Sequence, residues 1–321
     1  ADRFTRCVIK LQLLLETAFD YVESEKINIF GTSAKFIDTA KKQGLKPAKT
    51  HDFEMLHTIL STGSPLLPEC YDYVYDDIKS DICLSSISGG TDILSCFVLG
   101  NPVWPVWRGE MQCRGLGLAV DVFDDDGHSI FQEKGELVCS KPFPSMPIGF
   151  WNDLNNEKYQ QTYFDRFDNT WCQGDYAEIT AHDGLIIHGR SDSVINPGGV
   201  RIGTAEIYRQ VDQLTEVIAS VVIGQNWDGD IRVVLFVMLE SGLVLDEELS
   251  KKIKQKIREN TTPRHVPAKI IKVTDIPRTR SGKITELAVR QVVHGEEVKN
   301  KSEVFNPESL DCFLDLDELT S

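Results

Sequence analysis

Three segments of this sequence carry residues whose types and spacing could act on a ligand that has phosphate and hydroxyl groups. The first consists of Gly174-Asp175 and, further along the chain, Gly189-Arg190-Ser191-Asp192. A carboxylate at the edge of a strand can accept two hydrogen bonds from a diol. Taken alone, each half of this segment is better explained as an ordinary turn with exposed charges.

The second and third segments combine glycine with a basic side chain. The second runs from Asn196 to Gly203, and its glycines would let the main chain approach a ligand closely while Arg201 contacts a phosphate. A loop that leads into a helix explains this pattern equally well. The third reads Pro-Arg-Thr-Arg-Ser-Gly-Lys and ends at Lys283, whose ammonium could stabilise an oxyanion or a phosphate. By itself it is better explained as a solvated basic loop.

The composition limits the classes of protein to which the chain can belong. Its 321 residues hold 34 Lys and Arg against 49 Asp and Glu, a net charge of −15, and 41% are hydrophobic. This hydrophobic fraction can build a core, whereas a net acidic chain is a poor nucleic-acid binder. No apolar run approaches the roughly 20 residues of a membrane helix, and charges interrupt the N-terminal region. We therefore expect neither a membrane span nor a signal peptide.

The cysteines point to a reducing compartment. The eight thiols form no Cys-x-x-Cys pair, and none lies near a histidine at the spacing of a zinc site. We expect free, mostly buried thiols and a cytosolic protein. The first residue is not methionine, so we expect a fragment or a processed product.

Hydrophobic periodicity predicts the elements that would position the three segments. Strands and helices alternate over the first 90 residues, which is typical of α/β layering, and turn signals between Met111 and Gly189 predict a β-rich subdomain. The predicted helices span 11–22, 33–42, 69–78, 205–214, 246–260 and 284–294. The predicted strands include 27–30, 56–60, 82–87, 217–223, 231–239 and 269–273, with a tight loop at 88–90.

The predicted fold class is α/β with more than one domain. Residues 1–190 are expected to form the C-terminal part of a large domain, which comprises an α/β layer and the β-rich subdomain. Residues 191–300 are expected to form a small α+β domain, and residues 301–321 a loosely attached tail. Between Lys251 and Arg290, twelve basic residues face three acidic ones, so positive charge is concentrated around Lys283.

The three segments together, in this order, resemble the adenylate-forming superfamily of acyl-CoA synthetases, luciferases and peptide-synthetase adenylation domains. The resemblance runs from about Ile27 to the C-terminus, with an AMP-binding large domain and a small AMP-binding-enzyme C-terminal domain. Within the superfamily, the sequence looks most like the acetoacetyl-CoA synthetases. The stretches that carry this resemblance are 30–35, 56–66, 86–93, 150–153, 264–267 and 306–308.

The resemblance implies a two-step reaction. A carboxylate, here acetoacetate, reacts with ATP to give an acyl-adenylate and diphosphate, and the thiol of coenzyme A then attacks the adenylate. Because oxide is a poor leaving group and AMP a better one, the protein must hold ATP, neutralise phosphate charge and exclude water. The implied cofactors are ATP/AMP, coenzyme A and Mg²⁺. The implied setting is cytosolic lipid, fatty-acid and ketone-body metabolism, with small-molecule partners and no nucleic acid.

The resemblance also implies roles in the first 190 residues. The adenine pocket would be lined by Gly63, Ser64 and Pro65, and a loop between adenine and acyl group would be formed by Ser86, Ile87, Ser88, Gly89 and Gly90. Thr91 would bind the α-phosphate. Asp92 stands where the family usually has Glu and would be the Mg²⁺ ligand. Asp175 would hold the ribose hydroxyls, helped by Arg190.

Further roles fall on the second and third segments. Arg201 would face the phosphates, and Asp192 would be the hinge about which the small domain rotates between the two half-reactions. Gly198 and Gly199 would border the pantetheine tunnel. Lys283 would bridge the substrate carboxylate and the α-phosphate during adenylation and then move away.

One position informs the choice of acyl group. Acetate-specific relatives carry a Trp where this chain has Gly89, and glycine there leaves room for extra carbons. This favours acetoacetate or a similar short acid over acetate, without identifying a 3-oxo group.

The sequence also departs from the family, because no Ser/Thr/Gly-rich phosphate loop ending in Pro-Lys precedes Gly63. We therefore expect the C-terminal half of a synthetase, with little turnover of its own and exposed apolar surface near its N-terminus. Three interpretations stay open. In the first, the chain is part of a ligase for acetoacetate or another short acid. In the second, it is a non-catalytic fragment that binds nucleotide or CoA or docks to a partner. In the third, it belongs to an adenylating enzyme that loads a carrier protein. The oligomeric state is not indicated.

Overall fold

A computed structural model describes residues 3–280, 282–298 and 301–320 of the chain. The backbone divides into two compact units, one up to Ile187 and one from His188 onward. Each unit has its own β-structure and its own hydrophobic cores.

Helices and strands follow one another along the chain, with a long run of strands from β3 to β8 in the first unit. The helices are α1 (Arg3–Ser24), α2 (Ala34–Lys42), α3 (Pro68–Tyr73), α4 (Glu157–Tyr163), α5 (Thr204–Val211), α6 (Glu247–Asn260) and α7 (Glu286–Val293). The strands are β1 (Ile29–Ser33), β2 (Thr58–Thr62), β3 (Cys83–Ser86), β4 (Ser88–Gly90), β5 (Ser95–Leu99), β6 (Cys113–Arg114), β7 (Val120–Phe123), β8 (Lys134–Cys139), β9 (Trp171–Ile179), β10 (Leu185–Arg190), β11 (Val217–Trp227), β12 (Asp230–Leu239) and β13 (Lys269–Lys272).

The first unit begins with a parallel sheet in the order β1-β2-β3. Its core includes Phe19 from α1, Ile37 from α2, Ile59 from β2 and Leu84 from β3, all buried. The Ser33 hydroxyl accepts a hydrogen bond from Phe36 N at 3.1 Å, which satisfies one of the free N–H groups at the start of α2. Because the three strands are parallel, the loops that follow them leave from the same edge of the sheet.

Two antiparallel sheets follow in the same unit, in the orders β4-β5-β6 and β10-β9-β8-β7. They enclose a second core around Trp171, Leu137 and Phe97. The β-rich subdomain expected from the turn signals is thus present. The predicted tight loop at residues 88–90 is wrong: Ser88–Gly90 is strand β4, because its main chain pairs with β5 and so satisfies its hydrogen bonds.

The second unit is built on the sheet β11-β12-β13. β11 and β12 are antiparallel, and β12 and β13 are parallel. Side chains alternate between the two faces of the sheet, and both faces are covered. One face packs with α5 and α6 in a core that includes Ile253, and the other packs with α7 in a core that includes Val289.

The C-terminal segment differs from the loosely attached tail that we expected. Leu310, Phe313 and Leu319 are buried, and Phe313 lies 4.9 Å from the ring of Phe236 in the edge-to-face arrangement. Charged residues such as Asp311 separate these apolar ones, and this alternation hid the buried face from the sequence analysis. Residues 301–320 are therefore an integral layer of the second unit.

Most predicted elements exist with shifted boundaries. The helix predicted over 69–78 is α3 followed by a single π-helical turn at Val74–Ile78. The predicted strand 217–223 continues to Trp227, since β11 stays paired with β12 over its whole length. The helix predicted over 246–260 is α6, and Asp246 Oδ1 caps its start by accepting from Leu249 N at 2.8 Å.

The structure also tests the simpler expectations. Within the described ranges, no helix combines the length and the apolarity that crossing a membrane requires. The seven cysteines whose side chains the structure describes are free; of these, Cys70, Cys139 and Cys172 are buried and the other four are half-buried. Burial raises the pKa of Cys70 to about 12 and that of Cys172 to about 11, so these thiols stay protonated. The apolar side chains Leu14 and Tyr21 are exposed, as expected near the N-terminus.

Candidate active site

In the first unit, the predicted adenine-pocket residues follow the carboxyl ends of two neighbouring parallel strands. β2 leads into Gly63, Ser64 and Pro65, and β3 leads into residues 87–90. Ile87 N donates to Ser61 O at 2.8 Å, which ties the chain after β3 to β2. The structure therefore brings stretches 63–65 and 86–90 to one edge of the sheet, where ligands of open parallel sheets commonly bind.

Asp92 stands at the surface directly after β4 and rests on buried aromatic side chains. Its Oδ2 accepts a hydrogen bond from Tyr163 OH at 2.6 Å. The ring of Tyr163 stacks on Trp171 at 3.6 Å, and Trp171 Nε1 donates to Gln173 Oε1 at 2.8 Å. Asp92 is exposed, whereas Tyr163 and Trp171 are buried. The carboxylate is thus oriented from the protein side while it faces solvent.

Asp92 suits the role of Mg²⁺ ligand that the resemblance implies. Mg²⁺ prefers oxygen ligands and is usually held by one or two carboxylates together with substrate phosphates. Among the described residues, the one grouping of three potential metal ligands lies elsewhere, at Asp124, Asp126 and His128 on an exposed turn. Asp124 is already engaged there by the main-chain N–H groups of Asp126 and His128 at 2.9 Å.

Tyr163 and Gln173 are residues that the sequence analysis missed. Tyr163 lies on α4, a short helix that periodicity did not predict because left-handed residues Asn155 and Asn156 precede it. Gln173 adjoins the Gly174-Asp175 pair, and only the strand geometry shows that it meets Trp171. The Tyr163–Asp92 contact joins residues 71 positions apart, so no local pattern could reveal it.

The glycines of β4 are required by close packing. A Cβ added to Gly90 would lie 1.9 Å from Asp92 Oδ1, and one added to Gly89 would lie 2.2 Å from Ser95 O and 2.7 Å from Cys96 Cα. We expected Gly89 to leave room for extra acyl carbons. In this structure the main chain of β5 occupies the direction that a side chain at position 89 would take. A larger residue there therefore requires β5 to move.

The Gly174-Asp175 pair lies in β9 beside a register shift. The pairing of β8 with β9 is irregular between Glu136 and Val138, and Gly174 has φ of +77°. Such an irregularity re-aims the following side chain, and glycine adopts the positive φ without strain. The bulge explains why glycine precedes Asp175, which is half-buried.

In the second unit, the predicted hinge lies on a short 3-10 turn after β10. Arg190 Nε lies 3.9 Å from Asp192 Oδ1, and both side chains are about half exposed. Ser193 Oγ donates to the same carboxylate oxygen at 3.3 Å. These exposed pairs constrain the turn only weakly.

A half-buried acid, Glu286, lies close to this turn, at the start of α7. Tyr208 OH donates to Glu286 Oε1 at 2.6 Å, and Val222 N donates to Tyr208 OH at 3.1 Å. Burial raises the pKa of Glu286, and hydrogen bonds from side chains that include Ser193 oppose this effect. Burial likewise raises the pKa of Tyr208 well above its ordinary value. The hinge turn and α7 therefore share one polar cluster.

The glycine-rich segment is exposed at Gly198 and Gly199, and neighbouring side chains hold it at Gly198. Gly198, with φ of +57°, donates its N–H to Asp230 Oδ1 at 3.0 Å, and this hydrogen bond lowers the pKa of Asp230. Arg264 Nη1 donates to Pro197 O at 2.8 Å and to Gly198 O at 3.1 Å. Gly199 is exposed, and a Cβ there would meet nothing within 4 Å. The sequence analysis missed Asp230 and Arg264, which hold this loop.

Two basic site residues that the sequence analysis predicted in the second unit, Arg201 and Lys283, are exposed. Lys283 lies on a tight hairpin in which Thr279 N donates to Lys283 O at 2.8 Å. The predicted site residues thus fall into two groups. Residues 63–65, 86–92 and 175 belong to the first unit, and residues 190, 192, 198, 199, 201 and 283 belong to the second.

The chain is similar to known proteins in sequence and in fold. Residues 209–283 match the family model described as the AMP-binding enzyme C-terminal domain. The chain is 62% identical over 303 residues to acetoacetyl-coenzyme A synthetase of Rhizobium meliloti, a match that covers 94% of this chain and 47% of that protein. The chain is similar to the C-terminal half of acetoacetyl-CoA synthetases. The resemblance inferred from the three segments, and the α/β fold class, are confirmed.

Other relatives show the same similarity to acetoacetyl-CoA synthetases. The chain is 47% identical to acetoacetyl-CoA synthetase of Xenopus tropicalis, with 95% of this chain and 46% of that protein covered. The solved structure of acetoacetyl-CoA synthetase from Streptomyces lividans superposes with a TM-score of 0.88 at 37% identity, over 96% of this chain and 48% of that one. The anthranilate CoA ligase AuaEII, at 22% identity and a TM-score of 0.71, shares the fold. The chain spans about half the length of the curated relatives it matches.

Proposed function

We propose that this chain is the C-terminal half of an ATP-dependent acid–thiol ligase. The complete enzyme converts acetoacetate, ATP and CoA to acetoacetyl-CoA, AMP and diphosphate through an acyl-adenylate. The observation that carries the proposal is the 62% identity to an acetoacetyl-coenzyme A synthetase over nearly the whole chain. We place the reaction in cytosolic lipid and ketone-body metabolism on the same resemblance, with small molecules as its partners.

The proposed first half-reaction uses the exposed edge of the first unit. Residues 63–65 and 86–90 bind the adenine, Asp175 binds the ribose hydroxyls, and Thr91 binds the α-phosphate. A substrate carboxylate oxygen attacks the α-phosphorus, and diphosphate leaves with the electron pair of the broken P–O bond. Asp92 would hold Mg²⁺, which would offset phosphate charge there, and the Tyr163 hydroxyl fixes the orientation of that carboxylate.

The second unit contributes positive charge and the thiol-binding side. Lys283, on its exposed hairpin, contacts the substrate carboxylate and the α-phosphate during adenylation, and Arg190 and Arg201 contact ribose and phosphates. Asp192 is the hinge of the small domain in the proposal. In the second half-reaction the CoA thiolate attacks the acyl carbon and AMP leaves. Gly198 and Gly199 border the pantetheine, and exposed Gly199 allows close approach of that chain.

Substrate-dependent exchange of labelled diphosphate into ATP tests the proposal on the complete enzyme. We expect acetoacetate to support faster exchange than acetate, butyrate or a long-chain acid, and CoA to release acetoacetyl-CoA. Faster exchange with acetate or a long-chain acid would overturn the assigned specificity. Absence of exchange with every acid would overturn the ligase assignment.

A second candidate function is favoured by the length of the chain, which spans about half of its relatives. In it, these 321 residues bind nucleotide or CoA without turnover. Calorimetry with AMP and with CoA, alongside the exchange assay on the 321-residue chain, separates the two. Heat of binding without exchange supports the non-catalytic function for this chain, whereas acetoacetate-dependent exchange contradicts it.

A further inference from the structure

The segment that carries Lys283 is a hairpin closed by main-chain hydrogen bonds. Thr279 N donates to Lys283 O at 2.8 Å, and Gly282 N donates to Thr279 O at 2.9 Å. Arg278 and Ile284 form an antiparallel bridge at its base. Lys283 itself is exposed, so the location of its ammonium depends on how the base of the hairpin is held.

The C-terminal segment holds that base from the outside. Phe305 N donates to Arg278 O at 2.7 Å, and Thr279 forms an antiparallel bridge with Val304. The side chain of Asn306 continues this pairing, because its Oδ1 accepts from Arg278 N at 2.9 Å. The first arm of the hairpin therefore lies between Lys283–Ile284 on one side and Val304–Phe305 on the other, through isolated β-bridges and main-chain hydrogen bonds.

The other end of the same amide contacts the residues that lead into the hairpin. Asn306 Nδ2 donates to Asp275 Oδ2 at 2.8 Å and to Ile276 O at 3.1 Å. A carboxamide offers both a donor and an acceptor in one planar group, so a single side chain engages three positions of the incoming chain. The hydrogen bond to Asp275 is to an ionisable carboxyl and is stronger when that group is charged.

Asn306 is itself fixed, because the segment that follows it packs on the sheet. Phe313 is buried against Phe236, and Leu319 is buried with its carbonyl accepting from Arg232 at 2.7 Å. The amide of Asn306 therefore joins the hairpin to a rigid layer of the second unit.

We propose that Asn306 is a positioning residue for Lys283. It holds the base of the hairpin so that the lysine ammonium is presented in one place for adenylation. Asn306 touches no reacting atom and acts through Lys283. The role of Lys283 rests on the proposed function, whereas the holding of the hairpin by Asn306 does not.

The structural arm of the test uses the 321-residue chain and hydrogen exchange followed by mass spectrometry. Asn306→Ala should raise the exchange rate of amides in 278–280 and 282–284 about tenfold and speed tryptic cleavage at Arg280. Exchange in β11 and β12 should stay unchanged. The matched control is Asn260→Ala, which removes an amide that bonds Lys256 O at 2.8 Å and does not touch the hairpin. Unchanged hairpin exchange in Asn306→Ala overturns the proposal.

The kinetic arm uses the complete enzyme and separates the half-reactions. Asn306→Ala should slow acetoacetate-dependent diphosphate exchange about tenfold, which corresponds to about 1.4 kcal/mol. Thioester formation from preformed adenylate should stay within about twofold. A purely structural role would lower both half-reactions alike, and that result, or no change in either, overturns the proposal.

Failure of the wild-type enzyme to exchange and failure of the variant to fold each have a defined reading. If the wild-type enzyme shows no acetoacetate-dependent exchange, the proposed function fails, and the hydrogen-exchange arm alone decides whether Asn306 holds the hairpin. If Asn306→Ala does not fold, Asp275→Asn replaces it, since it keeps an acceptor oxygen and removes the charge. A folded Asp275→Asn should raise hairpin exchange about threefold, and wild-type exchange there overturns the proposal.

Discussion

The edge of the first unit around Asp92 and the hairpin of the second unit around Lys283 present opposite charges in different ways. Asp92 is exposed but sits on Tyr163, which is buried and stacked on Trp171. Lys283 is exposed on a hairpin that main-chain hydrogen bonds close, and the side chain of Asn306 bonds Arg278 at the base of that hairpin. The acid is thus held by a side chain of a packed core, whereas the lysine is held by the hydrogen bonds of a hairpin. Four predictions test this contrast.

The largest effect is expected at the hairpin. Lys283→Ala in the complete enzyme should slow adenylation by about 10²–10³-fold, the range found when one preorganised donor to developing charge is removed. Thioester formation from preformed adenylate should change little, because the lysine has then moved away in the proposed cycle. Rapid-quench assays of the two half-reactions measure this.

The control for that experiment is Lys251→Ala, which removes an exposed lysine that pairs with Glu247 at 3.3 Å on α6. Both half-reactions should keep their wild-type rates in this variant. An equal loss in both half-reactions of Lys283→Ala would contradict the role assigned to the lysine.

The next effect concerns the packing that fixes the first unit. Gly89→Ala should lower the free energy of unfolding by about 1–3 kcal/mol, because its Cβ would lie 2.2 Å from Ser95 O and β5 must shift. Gly31→Ala is the matched control, since a Cβ there meets nothing within 4 Å. Urea unfolding of the 321-residue chain measures both. Equal stability of the two variants would show that β5 yields easily at position 89.

A smaller effect is expected where the hydroxyl of Tyr163 orients Asp92. Tyr163→Phe removes one hydrogen bond of 2.6 Å, worth about 1 kcal/mol, and keeps the stacking on Trp171. Adenylation should fall about fivefold and require more Mg²⁺ for half-saturation. Tyr159→Phe on the same helix removes a hydroxyl that bonds Pro147 O and should leave the Mg²⁺ requirement unchanged. A shared shift in both variants would argue for a general packing effect.

The smallest effect is a pH dependence in the second unit. Burial raises the pKa of Glu286, so folding favours its protonated form. The stability from this group is present at pH values below its ordinary pKa of 4.5 and is lost as the pH rises through the raised pKa. Glu286→Gln cannot titrate, and its unfolding free energy should decline less above pH 4.5 than that of the wild type. Exposed Glu247→Gln is the control, and a wild-type slope in Glu286→Gln would refute the prediction.

Local patterns were sufficient for much of the fold. The apolar, β-branched run from Val217 to Ile223 predicted β11, and the charged amphipathic pattern from Asp246 to Asn260 predicted α6. They failed where pairing partners are distant in sequence. Strand β4 looked like a turn because Gly89 and Gly90 are turn residues, and its β-structure depends on β5. The C-terminal segment looked like a tail because its buried residues are interspersed with charges, and only the sheet supplies the surface that they cover.

The candidate site divides in the same way. The order of the Gly-Asp, Gly-Arg-Ser-Asp, glycine-rich and Arg-Ser-Gly-Lys segments was sufficient to indicate the superfamily resemblance, because residue types and their order can be read without knowing which distant residues contact them. The sequence alone thus determined the fold class, the resemblance to acetoacetyl-CoA synthetases and the charged residues of the candidate site. Only the tertiary structure decided which groups hold the site residues. Tyr163 bonds Asp92, Asp230 bonds Gly198, and Asn306 bonds Arg278 in the segment before Lys283. Each of these contacts joins residues that are far apart in the chain, and their distance is fixed only when the cores pack.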